Sequence, residues 1–507
     1  MPMRARSWRE RAGWAGRAAA LYLAVLAAGA CGARGDGAAP TAGASAPPLA
    51  AGSAATTTSS TTTTTGSGAA AVAGGPAAVD AAGSGAAGSG ATAATVPAAP
   101  APVAKGGADF LAAAQLLVRV AACGSAEPVA PPLDAAVVAA HCARLDKRKA
   151  GYRVAYFEGA RAFFDELVPD DVPATVVYPF GGGDLISALV AFPEAREITT
   201  ISLELSGDPR RLAGLDKRRL KGSLSALSVE IGGLLSVGSN TSANLSASQR
   251  NDLPAQTSSF LIALVTGGYE VVGLRYFRLG DDGAVTYLSE ADIAGIEASE
   301  AETGRRGGGA KSRKNTWKSP NFSDAFANVE IEYRRPGEAG VRVHRHLAWN
   351  LGDEALRAKP QLLRHLEAKG KVTLLTKGAS YLLWNSGFSL IRQYMLDHLA
   401  WMLSDSTGIP PAYARKAGME QVPYGRFDGA FLEGAEAYGK RHSDDFRALW
   451  RSSPRRRLPF RFGYVDAAKQ AHLVVTRPAL RGVDLDVDRE LGSTGGSSPP
   501  APDLKGR

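Results

Sequence analysis

The sequence predicts an α/β fold: a Rossmann-like mixed sheet with an added antiparallel hairpin, preceded by a helical hairpin. Three observations carry this expectation. Short runs rich in Val, Ile, Tyr and Thr recur at 175–178, 197–204, 269–277, 329–333, 341–349 and 372–375, with Val474 and Val475 as a last fragment. Segments with helical periodicity stand between several of them. The run from Val176 to Leu185 passes from a strand through three consecutive glycines into a helix.

Taken in order, the chain opens on a cationic stretch, Met1 to Arg17, with Arg4, Arg6, Arg9, Arg11 and Arg17 against Glu10. Ala18 to Ala30 is uncharged and mostly apolar. As a helix it spans about 20 Å, short of the roughly 30 Å hydrocarbon core of a membrane. These features predict a signal peptide over residues 1–30, and the lack of an Arg-Arg pair favours Sec export. Ala28-Gly29-Ala30-Cys31 resembles a bacterial lipobox, which implies lipidation of Cys31 and a membrane-anchored lipoprotein facing the periplasm or the cell surface. Ordinary cleavage after an Ala-x-Ala-like site is the alternative.

Residues 31–107 are almost entirely Ala, Gly, Thr, Ser and Pro, including the Thr/Ser run from Thr56 to Thr65. Such a composition cannot bury enough apolar surface to offset chain entropy, so a disordered stalk is expected. As a flexible coil it would span on the order of 45–50 Å. The single α/β domain is expected over 108–480, followed by a disordered tail over 481–507.

The formal charge is +9, of which the first seventeen residues contribute +4, leaving +5 after processing. A basic, Gly-rich loop is expected at about 300–320, with Arg305, Arg306, Lys311, Arg313, Lys314 and Lys318. It could touch phosphate or anionic lipid, or simply be solvated. Nucleic acid is not expected as a partner, because Trp317 is the one aromatic in that run.

Apart from Cys31 the chain has only Cys123 and Cys142. They lie in helix-like stretches, Phe110 to Ala122 and Leu133 to Leu145, joined by a turn with Pro128, Pro131 and Pro132. Two helices on a short turn run antiparallel, so a disulfide is expected in an exported protein. Further helices are expected at 255–265, 360–369 and 389–403, the last with Leu390, Ile391, Tyr394, Met395, Leu399 and Met402 on one face. Thr407-Gly408-Ile409-Pro410-Pro411 should stop it. Pro336-Gly337 marks the turn of an antiparallel hairpin over 329–349.

The run Val176-Val177-Tyr178-Pro179-Phe180-Gly181-Gly182-Gly183-Asp184-Leu185, with Glu204 closing the next strand, resembles the nucleotide-binding turn of class I S-adenosylmethionine-dependent methyltransferases over about 30 residues. That resemblance implies that Gly181 and Gly183 line the methionine moiety and that Glu204 holds the ribose. Tyr178-Pro179-Phe180 stands where that family carries an acid, and no later motif of it follows. No bound cofactor is therefore expected. A second resemblance spans most of the domain. Tyr178-Pro179-Phe180-Gly181 with Asp184, Lys377-Gly378-Ala379-Ser380-Tyr381-Leu382, Phe388-Ser389-Leu390-Ile391-Arg392 and Asp405-Ser406-Thr407-Gly408-Ile409-Pro410 are similar to blocks of an uncharacterised family of exported bacterial proteins.

The candidate ligand-binding residues are Gly181, Gly183, Asp184, Glu204, Lys377, Arg392 and Asp405. Lys377, at a strand end, could be a base or clamp, or pair with a carboxylate. Arg392 and Asp405 flank one expected helix and can pair there, and Asp184 suits a first helical turn. His344 and His346, two apart on a strand, share a face, but no third ligand stands at a recognisable spacing and no metal is expected. No Gly-x-Ser-x-Gly elbow or Walker loop is present. The leading reading is a tethered binding or scaffolding module. The alternatives are an extracytoplasmic enzyme or small-ligand domain with its cleft at the Gly181–Asp184 turn, and a methyltransferase-like fold kept only for structure.

Overall fold

The computed structural model describes residues 106–125, 127, 129–235, 252–302, 323–430, 437–463 and 471–479. The expected signal segment, Cys31, nearly all of the stalk, the basic loop from 303 onward and the tail lie outside the described residues. None of the described helices is long and apolar enough to cross a membrane.

Among the described residues the centre is one ten-stranded sheet. Its strands are β1 (Thr175–Pro179), β2 (Glu197–Ser202), β3 (Glu270–Leu279), β4 (Val285–Tyr287), β5 (Asn328–Arg334), β6 (Arg342–Ala348), β7 (Val372–Thr376), β8 (Leu399–Ser404), β9 (Met419–Gly425) and β10 (His472–Pro478). They lie in the order β4-β3-β5-β6-β2-β1-β7-β8-β10-β9. The five central strands β6-β2-β1-β7-β8 are parallel, as βα crossovers require. Antiparallel strands extend both flanks, β5, β3 and β4 on one side and β10 on the other. The mixed Rossmann-like sheet and the β5–β6 hairpin about Pro336-Gly337 are thus as the sequence predicts.

Burial alternates along the central strands. Val176 and Tyr178 enter one apolar cluster and Val177 the other; Leu375 and Leu374 divide in the same way, as do Leu403 and Met402. The sheet is a middle layer with a core on each face. Helices α1 (Leu111–Val120), α2 (Ala135–Tyr152), α3 (Glu158–Leu167), α4 (Leu185–Ala191), α5 (Lys217–Leu234) and α6 (Ala255–Thr266) contribute to the first cluster. Helices α7 (Glu290–Glu302), α8 (Asp353–Ala358), α9 (Gln361–Glu367), α10 (Ser389–His398), α11 (Pro411–Lys416) and α12 (Ala437–Ser452) follow. A π-turn, Arg153–Phe157, joins α2 to α3 and aims Tyr152 and Tyr156 inward.

One expectation fails. The helix read over 389–403 ends at His398, and Leu399 begins β8 at once. Leu399, Met402 and Leu403 fit a helical face by spacing, but a central strand buried on both sides is also a continuous apolar run, and Leu399-Ala-Trp-Met-Leu is one. Arg392 and Asp405 therefore do not flank a single helix.

The helical hairpin is closed by a Cys123–Cys142 disulfide, with Cα atoms 5.4 Å apart. Helix α2 in turn packs on α5: Lys217 pairs with Asp134 at 2.9 Å, and Ser228 Oγ meets His141 Nδ1 at 3.3 Å. The disulfide closes a loop with a sequence separation of 19. The Cys123→Ser, Cys142→Ser double variant should lose ~3 kcal/mol of unfolding free energy in urea. On the same layer, burial pushes the Glu230 carboxyl of α5 up to about 8. Its folded value exceeds its unfolded one, so its contribution is fully present below pH 4.5 and lost as pH rises through 8. Glu230→Gln should flatten the fall in stability across that window, measured by denaturation at a series of pH values.

Candidate functional site

Strand β1 leads through α4 to β2 on one side, while β7 lies on its other side. The carboxyl ends of β1 and β7 therefore border the switch point of the sheet, where open α/β folds form their ligand crevice. Asp184 follows β1 and Lys377 follows β7. The topology brings them together: Lys377 Nζ lies 3.1 Å from Asp184 Oδ2 and donates to Ser187 Oγ at 2.8 Å.

Asp184 works in two directions. It caps α4, accepting from the Ser187 amide at 3.3 Å and the Ser187 hydroxyl at 2.9 Å. Its other oxygen accepts from Tyr178 OH at 3.2 Å as well as from Lys377. The Asp184 side chain is 4% exposed and that of Lys377 17%. Burial pulls the Lys377 ammonium down, but Asp184, with Tyr156 and Asp405 behind it, outweighs that and holds it above its ordinary value. Burial and the adjacent carboxylate keep the Tyr178 phenol protonated, and burial pushes Tyr156 up to about 12.

The glycines of the turn make room for protein atoms. A Cβ on Gly181 would stand 2.8 Å from the Tyr178 ring, which folds under the turn to reach Asp184. A Cβ on Gly183 would stand 2.8 Å from Gln256 Oε1, at the start of α6. The whole segment from Gly181 to Asp184 is buried. Positions that the methyltransferase resemblance assigns to a ligand are thus packed against Tyr178 and Gln256.

Asp405, after β8, is next to this crevice and is consumed by backbone. It accepts from the Gly378 amide at 2.9 Å, from the Thr407 amide at 2.8 Å and from the Thr407 hydroxyl. Ala379 N also donates to Thr407 Oγ1, at 3.0 Å. The loop after β7 is thereby clasped to the loop after β8, which holds Ser380 and Tyr381 at φ 50° and 56°. Non-glycine residues reach that region only when their surroundings enforce it.

The other candidates go elsewhere. Glu204 lies on the same carboxyl edge, but no hydrogen bond or ion pair joins it to Asp184, Lys377 or Asp405 among the described residues. Burial raises its carboxyl above the ordinary range, and its carbonyl accepts from His346 Nε2 at 2.8 Å. That bond fixes a tautomer. His346 Nδ1 accepts from Thr200 Oγ1 at 3.0 Å, and the same hydroxyl accepts from His344 Nε2 at 3.0 Å. Burial lowers both imidazoles, His346 to about 4, so the pair is a neutral relay between strands. No group of three potential metal ligands occurs among the described residues. Arg392 donates to the carbonyls of Leu383 and Asn385 at 2.8 and 3.0 Å and stacks 4.1 Å from the Tyr413 ring. It ties down the turn before α10.

Sequence reasoning missed one pairing. Ser406 Oγ meets His472 Nε2 at 2.9 Å and Tyr381 OH at 3.2 Å. Ser406 is 0% exposed and His472 1%, so this Ser–His contact joins the loop after β8 to the start of β10 inside the core. No local signal connects residues so far apart in sequence.

Comparison with models of known families, with curated proteins and with solved structures returns no match.

Removing one partner of a buried pair strands the other charge. Lys377→Met should cost ~3–5 kcal/mol in urea unfolding, and adding Asp184→Asn should recover part of it. A loss below about 1 kcal/mol would show that the pair is not the anchor of the crevice.

Proposed function

We propose that the chain is an exported, membrane-tethered lipoprotein whose α/β domain is a binding or scaffolding module, built on a methyltransferase-like sheet that no longer holds a cofactor. The Asp184–Lys377 pair carries this reading, because it occupies the switch-point crevice with the protein's own charges. A ligand entering there would have to separate a buried ion pair and displace Tyr178 and Gln256 from the turn glycines. The sheet order supports the fold part of the reading. Numbering β1, β2, β6, β7, β8, β9 and β10 as one to seven gives 3-2-1-4-5-7-6 with the seventh antiparallel, the arrangement that the class I methyltransferase resemblance implies. Fold alone does not bring activity. Export and anchoring rest on the cationic stretch, the short apolar segment and Cys31.

One observation favours a small-ligand domain instead. Gln256 is 2% exposed, neither of its side-chain amide atoms has a hydrogen-bond partner among the described residues, and it abuts Gly183. A small polar molecule would satisfy such a group.

Two measurements decide between these readings. In membranes washed at ~1 M salt, which strips contacts held by charge alone, Cys31→Ser should move the protein from the membrane fraction to the soluble one. Persistence in the membrane would refute the lipid anchor. Native mass spectrometry of the unlipidated chain, residues 31–507 with Cys31→Ser, should show the bare chain mass, and titration with S-adenosylmethionine should give no saturable heat. A retained small molecule, or saturable binding that Lys377→Met changes, would establish the ligand-binding alternative.

A further inference from the structure

A strap of irregular chain, 453–461, follows α12 and carries a concentration of charge that the crevice does not use. Arg451, Arg455, Arg456, Arg457 and Arg461 fall within eleven residues that contain no Asp or Glu. Arg451, Arg455, Arg457 and Arg461 are exposed, and none has a carboxylate partner among the described residues.

The strap is held rigidly from beneath. Phe460 packs edge-on against Tyr156, Phe163 and Phe164 at centroid distances of 5.4, 5.3 and 5.4 Å. The Arg456 carbonyl accepts from the Gly425 amide at 2.9 Å, and its guanidinium lies 5.9 Å from the Tyr424 ring. Pro454 and Pro459 restrict the backbone between these anchors. Four guanidinium groups are therefore displayed on a fixed support. Guanidinium forks match phosphate geometry, and pre-organisation lowers the entropy lost on binding.

We propose that this strap is a docking face for the anionic phospholipid surface of the membrane to which the chain is tethered. The proposal rests on the tethered reading above. Charge complementarity supplies the attraction, and the tether makes a weak surface contact sufficient by holding the domain at high effective concentration. Each basic side chain near an anionic leaflet strengthens partition roughly fivefold.

The test uses the processed chain, residues 31–507 with Cys31→Ser, so that lipidation plays no part and a failed anchor cannot be mistaken for a failed face. It should sediment with phosphatidylcholine vesicles containing about a third phosphatidylglycerol, not with phosphatidylcholine alone, and be released at ~1 M salt, where the Debye length is about 3 Å. Replacing Arg451, Arg455, Arg457 and Arg461 with Ser should weaken partition by roughly 600-fold, a factor of about five for each side chain. Replacing Arg305, Arg306, Lys311 and Arg313 with Ser removes equal charge from the basic loop and should weaken it far less. Matching melting midpoints establish that each variant folds, and Gln replacements keep the aliphatic stems should the Ser variant not. The proposal is overturned by equal partition into both vesicle types, by equal losses in the two variants, or by a strap variant that loses binding to a soluble polyanion such as heparin while keeping its vesicle partition.

Discussion

The ion pair between Asp184 and Lys377 is the constraint on which the site depends. Each charge sits at the end of a different parallel strand, on either side of the switch point, and neither could be buried alone. Together they still need further partners, because attraction in a low-dielectric site offsets desolvation only when the remaining lone pairs and protons are used. Tyr178, Ser187 and the first turn of α4 provide those partners. Two of the three glycines follow from this, and the third, Gly182, stands at φ 52°. Tyr178 can reach Asp184 only if its ring passes beneath Gly181, and α6 can close over the turn only if Gly183 has no side chain. A glycine-rich turn that reads as a ligand cradle is also what dense internal packing demands.

The flanks of the sheet obey another constraint. Five parallel strands with helices on both faces leave two edges that could pair with other chains. On one side the chain adds β5, β3 and then β4, only three residues long. On the other, the antiparallel β10 is inserted before β9, whose last residue, Gly425, is bonded to Arg456 of the strap. Short edge strands and covering loops limit edge-to-edge pairing.

Much of this was legible in the sequence where the signal is local. The β1–turn–α4–β2 unit, the hairpin about Pro336-Gly337, the cysteine pair and the helices before β3 and β7 all rest on short-range patterns. The failures lie where one pattern has two physical meanings. The apolar run from Leu399 to Leu403 satisfies a helix by spacing and a central strand by continuity, and only its place between β7 and β10 decides. Asp184 and Lys377 were both identifiable as strand-end charges, yet their pairing follows from strand order. Glu204 was expected to close the second strand, but β2 stops at Ser202 and Glu204 stands two residues beyond it, buried. Ser406 and His472 meet only because the last strand returns antiparallel beside β8.

The crevice and the outer surface are mechanically one structure. Phe462 and Gly463, just beyond the strap, are buried against the crevice. The Phe462 ring lies 5.9 Å from the Lys377 ammonium, and a Cβ on Gly463 would stand 2.2 Å from Asp405 Oδ2. Gly463 also has φ +73°, so both its backbone and its neighbour require glycine. The network that fills the switch point therefore fixes the chain just beyond the strap, while Phe460 fixes the strap's last turn on α3 and the π-helical segment. The ion pair at the switch point links the ends of β1 and β7 and makes a packed centre there. The surface segments leaving that centre inherit its rigidity, so a basic strap anchored there presents a defined charge pattern instead of a mobile one.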